Sequence, residues 1–117
     1  VRTVPKPWGH EVIFAETERY VGKLLVLEAG QSLSLQYHER KDETIYVLEG
    51  ETQLLVDIDG EMRELTLKPG EAHRIRPGVR HRMRASSRCT LVEVSSPELD
   101  DVVRLEDAYG RAGTTEP

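Results

Sequence analysis

Helical periodicity is nearly absent from this chain. No long segment carries apolar residues at i, i+3, i+4 and i+7, which argues against helix bundles and helix-covered parallel sheets. Cysteine is scarce as well. The single Cys89 excludes an intramolecular disulfide framework, and its place in the run Cys-Thr-Leu-Val-Glu-Val fits a buried, inert thiol. No stretch approaches the roughly 20 apolar residues that a membrane helix needs, and no secretory leader is legible. The expectation is a cytoplasmic chain without a membrane partner. An excess of basic charge is missing too. The formal net charge is −5, which argues against general nucleic-acid binding.

What remains is a chain of 117 residues, 38% hydrophobic and 32% charged, the size of one domain with a small core. Its charge is unevenly spread. Arg74, Arg76, Arg80, Arg82, Arg84 and Arg88 crowd one stretch, and acidic residues gather toward the end in Pro97-Glu98-Leu99-Asp100-Asp101 and at Glu106 and Asp107.

Short β-rich runs recur, bounded by Gly, Pro or Asp. They span Glu11–Ala15, Arg19–Leu27, Ser32–Gln36, Thr44–Leu48, Thr52–Ile58, Glu61–Leu67, Ala72–Ile75, His81–Arg84 and Thr90–Ser95. Asp59-Gly60 is the strongest hairpin signal, and Glu49-Gly50 and Pro69-Gly70 mark further turns. Many short strands at this spacing predict an all-β sandwich or barrel. The expected layout is one domain over 1–117, with an N-terminal arm 1–14, a barrel 15–97 and a tail 98–117 that frays from Arg111.

Four polar residues stand out: Gln36, His38, Glu43 and His81. Strand alternation places Ser32, Ser34, Gln36 and His38 on one face. Glu43 opens the next strand, which is expected to pair antiparallel with the first. His81 shares its parity with Met83 and Ala85, which turns Arg80, Arg82 and Arg84 the other way. That arginine stripe then reads as a solvated or interfacial row pairing with acidic residues. Two imidazoles, a carboxylate and an amide oxygen suit a divalent metal. The same spacing equally fits surface residues of a hairpin and a satisfied core histidine.

At these residues the chain resembles the cupins. Gly30, Gln36, His38, Glu43 and Gly50 fall on the spacing of the first cupin motif, with Gln36 in place of its first histidine, and Gly70 through Pro77-Gly78-Val79-Arg80-His81 resembles the second. The Gln-for-His exchange in Leu33-Ser34-Leu35-Gln36-Tyr37-His38 is similar to type II mannose-6-phosphate isomerases, commonly the C-terminal cupin domain of a fusion with a mannose-1-phosphate guanylyltransferase. Pro5-Lys6-Pro7-Trp8-Gly9, Tyr20, Lys23 and the ending Asp100 to Arg111 agree in order. Lys41, Ile45 and Ala85 depart from the pattern, standing where the family usually has Arg, Trp and Asn.

The resemblance implies a cupin double-stranded β-helix, a small jelly-roll-like barrel. It implies Gln36, His38, Glu43 and His81 as ligands of a divalent ion (Zn, Mn, Ni, Co or Fe), and a sugar-phosphate isomerase that interconverts aldose and ketose through an enediol. The substrate would be a small anionic sugar phosphate, which suits a site that keeps net positive charge because Gln36 is neutral. Arg111 and Lys23 are implied as the cations that contact substrate or assist proton transfer. A non-catalytic metal- or sugar-binding cupin is one alternative. A metal-dependent oxygenase is another, and Gln36 counts against it. Arg104 and Glu106 are expected to form a structural pair, Trp8 to pack on the barrel, and His10 and His73 to stand apart from the chemistry. A homodimer is expected, with Val1–Phe14 as an exchanged segment.

Overall fold

The computed structural model describes residues 1–107. Among them are eleven strands and no helix: β1 (Arg2–Lys6), β2 (Gly9–Glu16), β3 (Val21–Leu27), β4 (Leu35–Tyr37), β5 (Glu43–Glu49), β6 (Thr52–Ile58), β7 (Glu61–Leu67), β8 (Ala72–Ile75), β9 (His81–Ala85), β10 (Cys89–Ser95) and β11 (Val103–Glu106). They form two antiparallel sheets. One runs β1-β2-β3-β10-β5-β8 and the other β11-β4-β9-β6-β7. Among the described residues no helix is long and apolar enough to cross a membrane.

Alternation explains which faces meet. Leu25 and Leu27 on β3, Leu91 on β10, Ile45 and Val47 on β5 and Ile75 on β8 are buried against Leu54 and Val56 on β6 and Met83 on β9. Side chains two apart on a strand share a face, so each sheet turns one apolar face to the other and builds a core about one sheet spacing thick. Asp59 (φ 53°) and Gly60 (φ 85°) both adopt positive φ, as a two-residue hairpin of the twist-matching kind requires, and Ile58 pairs with Glu61 across them.

Two expectations need correction. β5 does not pair with β4; it lies between β10 and β8 in the other sheet. The turn after His38 therefore carries the chain from one sheet to the other. Ser32 does not share a face with Ser34: it bridges Arg84 and lies with Arg82 and Arg84 on the outer surface, while Leu33 enters the core. The N-terminal segment forms a hairpin at the edge of its sheet. β1 folds back on β2 of its own chain, Arg2 opposite Ile13. It ends the sheet as an edge strand, and Pro5 suits an edge because it has no N–H to offer a neighbour.

Gly9 turns the chain from β1 into β2 and seats Trp8, whose carbonyl accepts from the Glu28 N–H. A Cβ on Gly9 would stand 1.9 Å from the Val26 carbonyl oxygen. Gly9→Ala is therefore expected to cost about 1–3 kcal/mol through overpacking and backbone strain. In Gly60→Ala the new Cβ would meet nothing within 4 Å, so only the positive φ is strained, at about 1 kcal/mol. Urea denaturation of both variants checks the order; equal costs would mean that the close approach at Gly9 relaxes freely.

Candidate metal centre

The polar set is assembled from both sheets. Gln36 on β4 lies directly opposite His81 on β9. His38 follows β4, and Glu43 begins β5 across the barrel with the same parity as Ile45 and Val47. His38, Glu43 and His81 are all buried, and one ligand atom from each lies within 4.8 Å of the others. Glu43 Oε1 is 3.3 Å from His38 Nε2 and 3.2 Å from His81 Nε2.

Hydrogen bonds fix what those atoms offer. His38 Nδ1 donates to the carbonyl of Asp101, and His81 Nδ1 donates to the carbonyl of Val79 at 2.9 Å. Each ring thereby turns the lone pair of Nε2 toward Glu43. Glu43 Oε1 and His81 Nε2 are buried without a hydrogen-bond partner. Buried electron-rich atoms facing one another repel unless a proton or cation lies between them. Two imidazoles and a carboxylate with backbone acceptors behind the rings are the donor set and outer support of a divalent-metal site. The residues present thus fit such an ion.

Gln36 is adjacent but turned. Its amide nitrogen faces His38 Nε2 at 3.4 Å, and its Oε1 accepts from Ser34 Oγ at 2.6 Å. Ligation through oxygen requires the amide to turn over. Ser34 permits this at little cost, because a hydroxyl accepts as readily as it donates.

A buried chain of charges runs from the ligands into the barrel. Lys41 Nζ lies 3.2 Å from Glu43 Oε2 and 3.0 Å from Glu93 Oε2. Lys23 Nζ lies 3.7 Å from Glu93 Oε2 and 3.2 Å from Glu11 Oε2. Burial alone would raise the Glu43 carboxyl, but the Lys41 charge opposes it, and the carboxyl is held well below the usual carboxylate range. Burial also opposes the Lys41 charge, yet Glu93 and Glu43 prevail and raise its pKa. Glu93 goes the other way: burial and the nearby Glu43 charge push it up, against Lys41 and Lys23.

Lys23, Lys41, Glu93 and Glu11 line a partly open pocket beside Gln36 and His38, together with Lys6, Trp8, Leu99, Val102 and Arg104; its water-accessible interior is about 40 Å³. Trp8 packs as expected, in the core cluster, with one side on this pocket. Arg104, assigned from the sequence to a structural pair with Glu106, is buried and lines the pocket, while Glu106 is exposed. Arg111 lies outside the described residues. Among those residues His10 and His73 are not in the ligand cluster. The arginine stripe faces outward, with Arg80 bound to Asp57 at 3.1 Å and Arg82 donating to the carbonyl of Glu106.

Glu11, Glu93, Lys41 and Arg104 are the site residues that the sequence reading missed as such. A signal for the strand-borne charges was present. Glu11 shares the parity of Ile13, Lys23 that of Leu25 and Leu27, and Glu93 that of Leu91. Charged residues on the core side of a strand mark a polar end of the barrel.

Comparison with known proteins agrees with this architecture. Mannose-1-phosphate guanylyltransferase ManC of Salmonella typhimurium is 36% identical over 94% of this chain, and the corresponding enzyme of Escherichia coli K12 is 34% identical over 94%. The chain spans only 23% of the length of each. The structure of KdgF from a Halomonas species superposes with a TM-score of 0.72 at 23% identity, covering 83% of this chain and 86% of that one, a likeness of fold. The family model described as "Cupin domain" matches residues 23–95, a span that holds most of β3, all of β4 through β10 and every residue of the ligand set. This chain belongs to the cupin domain family.

Proposed function

We propose that the chain is a metal-dependent isomerase of sugar phosphates, moving a proton between C1 and C2 to interconvert an aldose and a ketose. One observation carries this reading. A metal-ligand set opens beside a pocket holding four cationic side chains, Lys6, Lys23, Lys41 and Arg104, against two carboxylates, Glu11 and Glu93. That balance favours an anionic ligand. The guanylyltransferase relatives, whose names concern mannose phosphate, lend support.

Held by His38, Glu43, His81 and a turned Gln36, a divalent ion would supply Lewis acidity toward a substrate oxygen. The chain's own residues divide the remaining work. Lys23 and Arg104 hold the anionic end, and Lys41 keeps Glu43 ionised. Glu93 sits at the pocket wall between two ammonium groups. It is the carboxylate best placed to accept the proton from one carbon and return it to the next.

The water-accessible interior of this partly open pocket is only about 40 Å³, room for a few waters. A hexose phosphate therefore needs the open side of the pocket as well, or an outward movement of wall residues such as Leu99, Val102 and Arg104. The same observation favours a second reading, a non-catalytic metal-binding cupin.

Turnover separates the two. Protein loaded in turn with Zn, Mn, Ni, Co or Fe is mixed with mannose 6-phosphate, and fructose 6-phosphate is assayed. Product is expected with at least one metal, and Glu93→Gln is expected to lower kcat by about 100-fold with a smaller change in KM. Absence of product with every metal would rule out that substrate and leave the binding reading.

A further inference from the structure

The segment 98–106 crosses the metal centre as a strap. Its Asp101 makes four contacts with the stretch that carries the ligands. The carboxylate accepts from three consecutive backbone N–H groups, those of Glu39 (3.0 Å), Arg40 (2.6 Å) and Lys41 (2.9 Å). The carbonyl of the same residue accepts from His38 Nδ1. Two residues later β11 begins, and it pairs with β4 so that Arg104 lies opposite Gln36. A residue about 60 positions away in sequence thus holds His38 and the first three residues of the turn that leads to Glu43.

These contacts do different things. The carboxylate satisfies three donors in the turn that changes sheets, where no strand partner is available. The carbonyl keeps the proton of His38 on Nδ1 and aims Nε2 at Glu43. The strap also closes the pocket, since it contributes Leu99, Val102 and Arg104 to the wall. Lifting it would open the pocket and, in the same motion, take away the acceptor behind His38.

We propose that Asp101 is a positioning residue that couples docking of the C-terminal strap to the metal centre: the docked strap aims His38 at the metal, and the bound metal holds the strap down. The inference rests on the metal centre of the proposed function and is independent of which substrate is turned over. Coupling of this kind is reciprocal, because any ligand that favours the docked state must be favoured by it to the same degree. A merely structural cap would stabilise the turn without responding to metal.

The test uses the full chain with cobalt(II) as the probe, its affinity measured by competition with a chromophoric chelator. Asp101→Ala keeps the backbone carbonyl but frees the three turn amides, so the strap undocks more often and carries that carbonyl away from His38; cobalt binding is expected to weaken by about 10-fold, the lower end of the cost of losing a partner behind a ligand. Asp101→Asn keeps one acceptor oxygen and should fall between Asp101→Ala and the natural chain. Asp100→Ala removes an exposed neighbour and should change affinity less than about twofold. Hydrogen exchange supplies the second readout. Cobalt is expected to slow exchange of backbone amides in 39–41 and 103–106 by at least about fivefold in the natural chain, and that protection should vanish in Asp101→Ala. Unchanged cobalt affinity in Asp101→Ala, or equal exchange of 103–106 with and without cobalt in the natural chain, overturns the coupling while leaving the metal centre standing. Should Asp101→Ala not fold, Asp101→Asn and the exchange comparison decide in its place. If the natural chain binds neither cobalt nor zinc, nickel or manganese, the metal centre itself fails and the coupling with it.

Discussion

Replacing His81 by alanine is expected to lower divalent-metal affinity by about 1,000-fold or more, because loss of a direct ligand should exceed the 10- to 100-fold cost of losing an outer partner. The side chain is fully buried, with Nε2 at 3.2 Å from Glu43 Oε1 and Nδ1 anchored on the Val79 carbonyl. Water can enter the vacated space but ligates more weakly than an imidazole. The alanine protein also gains a cavity, so its fold is checked by circular dichroism before metal is titrated. His81→Gln fills more of the space and should bind metal more weakly than histidine but better than alanine. Arg84→Ala, exposed on the opposite face of the same strand, should leave affinity within about twofold. Competition against a chromophoric chelator reads all three. An alanine variant that holds metal within about threefold of the natural chain would remove His81 from the ligand set and leave its Nε2 without a role.

Much of this centre is legible in the sequence, and the reason is local. Period-two alternation places Met83 and Ala85 inward beside His81 and turns Arg82 and Arg84 outward, and the structure has that arrangement. The Asp59-Gly60 hairpin is likewise a matter of two residues and their φ angles. What stays hidden is non-local. The turn from His38 to Glu43 reads as a hairpin connection, but the chain switches sheets there, and β5 finds its partners well downstream in β8 and β10. Nothing in the short run after His38 records that choice. β1 and β11 escape a sequence reading for a related reason: each lies at the outer end of its sheet. Their sequences, with Pro5 in one and charged Arg104 and Glu106 in the other, lack the apolar run that betrays a central strand. The buried charges are hidden by the same template that finds the core. In Leu91-Val92-Glu93-Val94 the inward positions are Leu91 and Glu93, whereas Val94 is exposed. A rule that turns polar residues outward reads that strand the wrong way round. The arm 1–14 shows the limit as well, since a terminal segment of this composition pairs equally well within its own chain or with another.

The buried charges also make the second large effect, at Lys41. Its ammonium lies between Glu43 and Glu93, at 3.2 Å and 3.0 Å, and all three side chains are almost entirely removed from solvent. Lys41→Met keeps most of the side chain's length but leaves two carboxylates facing each other across a site without a counter-charge. Breaking a buried pair from one side costs about 3–5 kcal/mol, because the remaining charge is left desolvated. Lys23 limits the loss only at Glu93, from 3.7 Å. The cost should fall by at least about half in Lys41→Met with Glu93→Gln, where one of the stranded charges is gone. Metal should act on the other. A divalent ion at Glu43 replaces the missing positive charge, so the variant is expected to be more strongly stabilised by saturating metal than the natural chain, in which Lys41 already neutralises that carboxylate. Urea denaturation of the single and double variants, each with chelator and with excess metal, gives the four comparisons. If chelator-treated Lys41→Met unfolds within about 0.5 kcal/mol of the natural chain, the carboxylates are neutralised or hydrated without it, and the chain of charges from Glu11 to Glu43 is no constraint on the fold. If instead the variant is strongly destabilised and metal restores it, Lys41 does for the empty centre what the ion does for the filled one. That would give a physical reason for a lysine two residues from a ligand: it lets the barrel fold around Glu43 before any metal arrives.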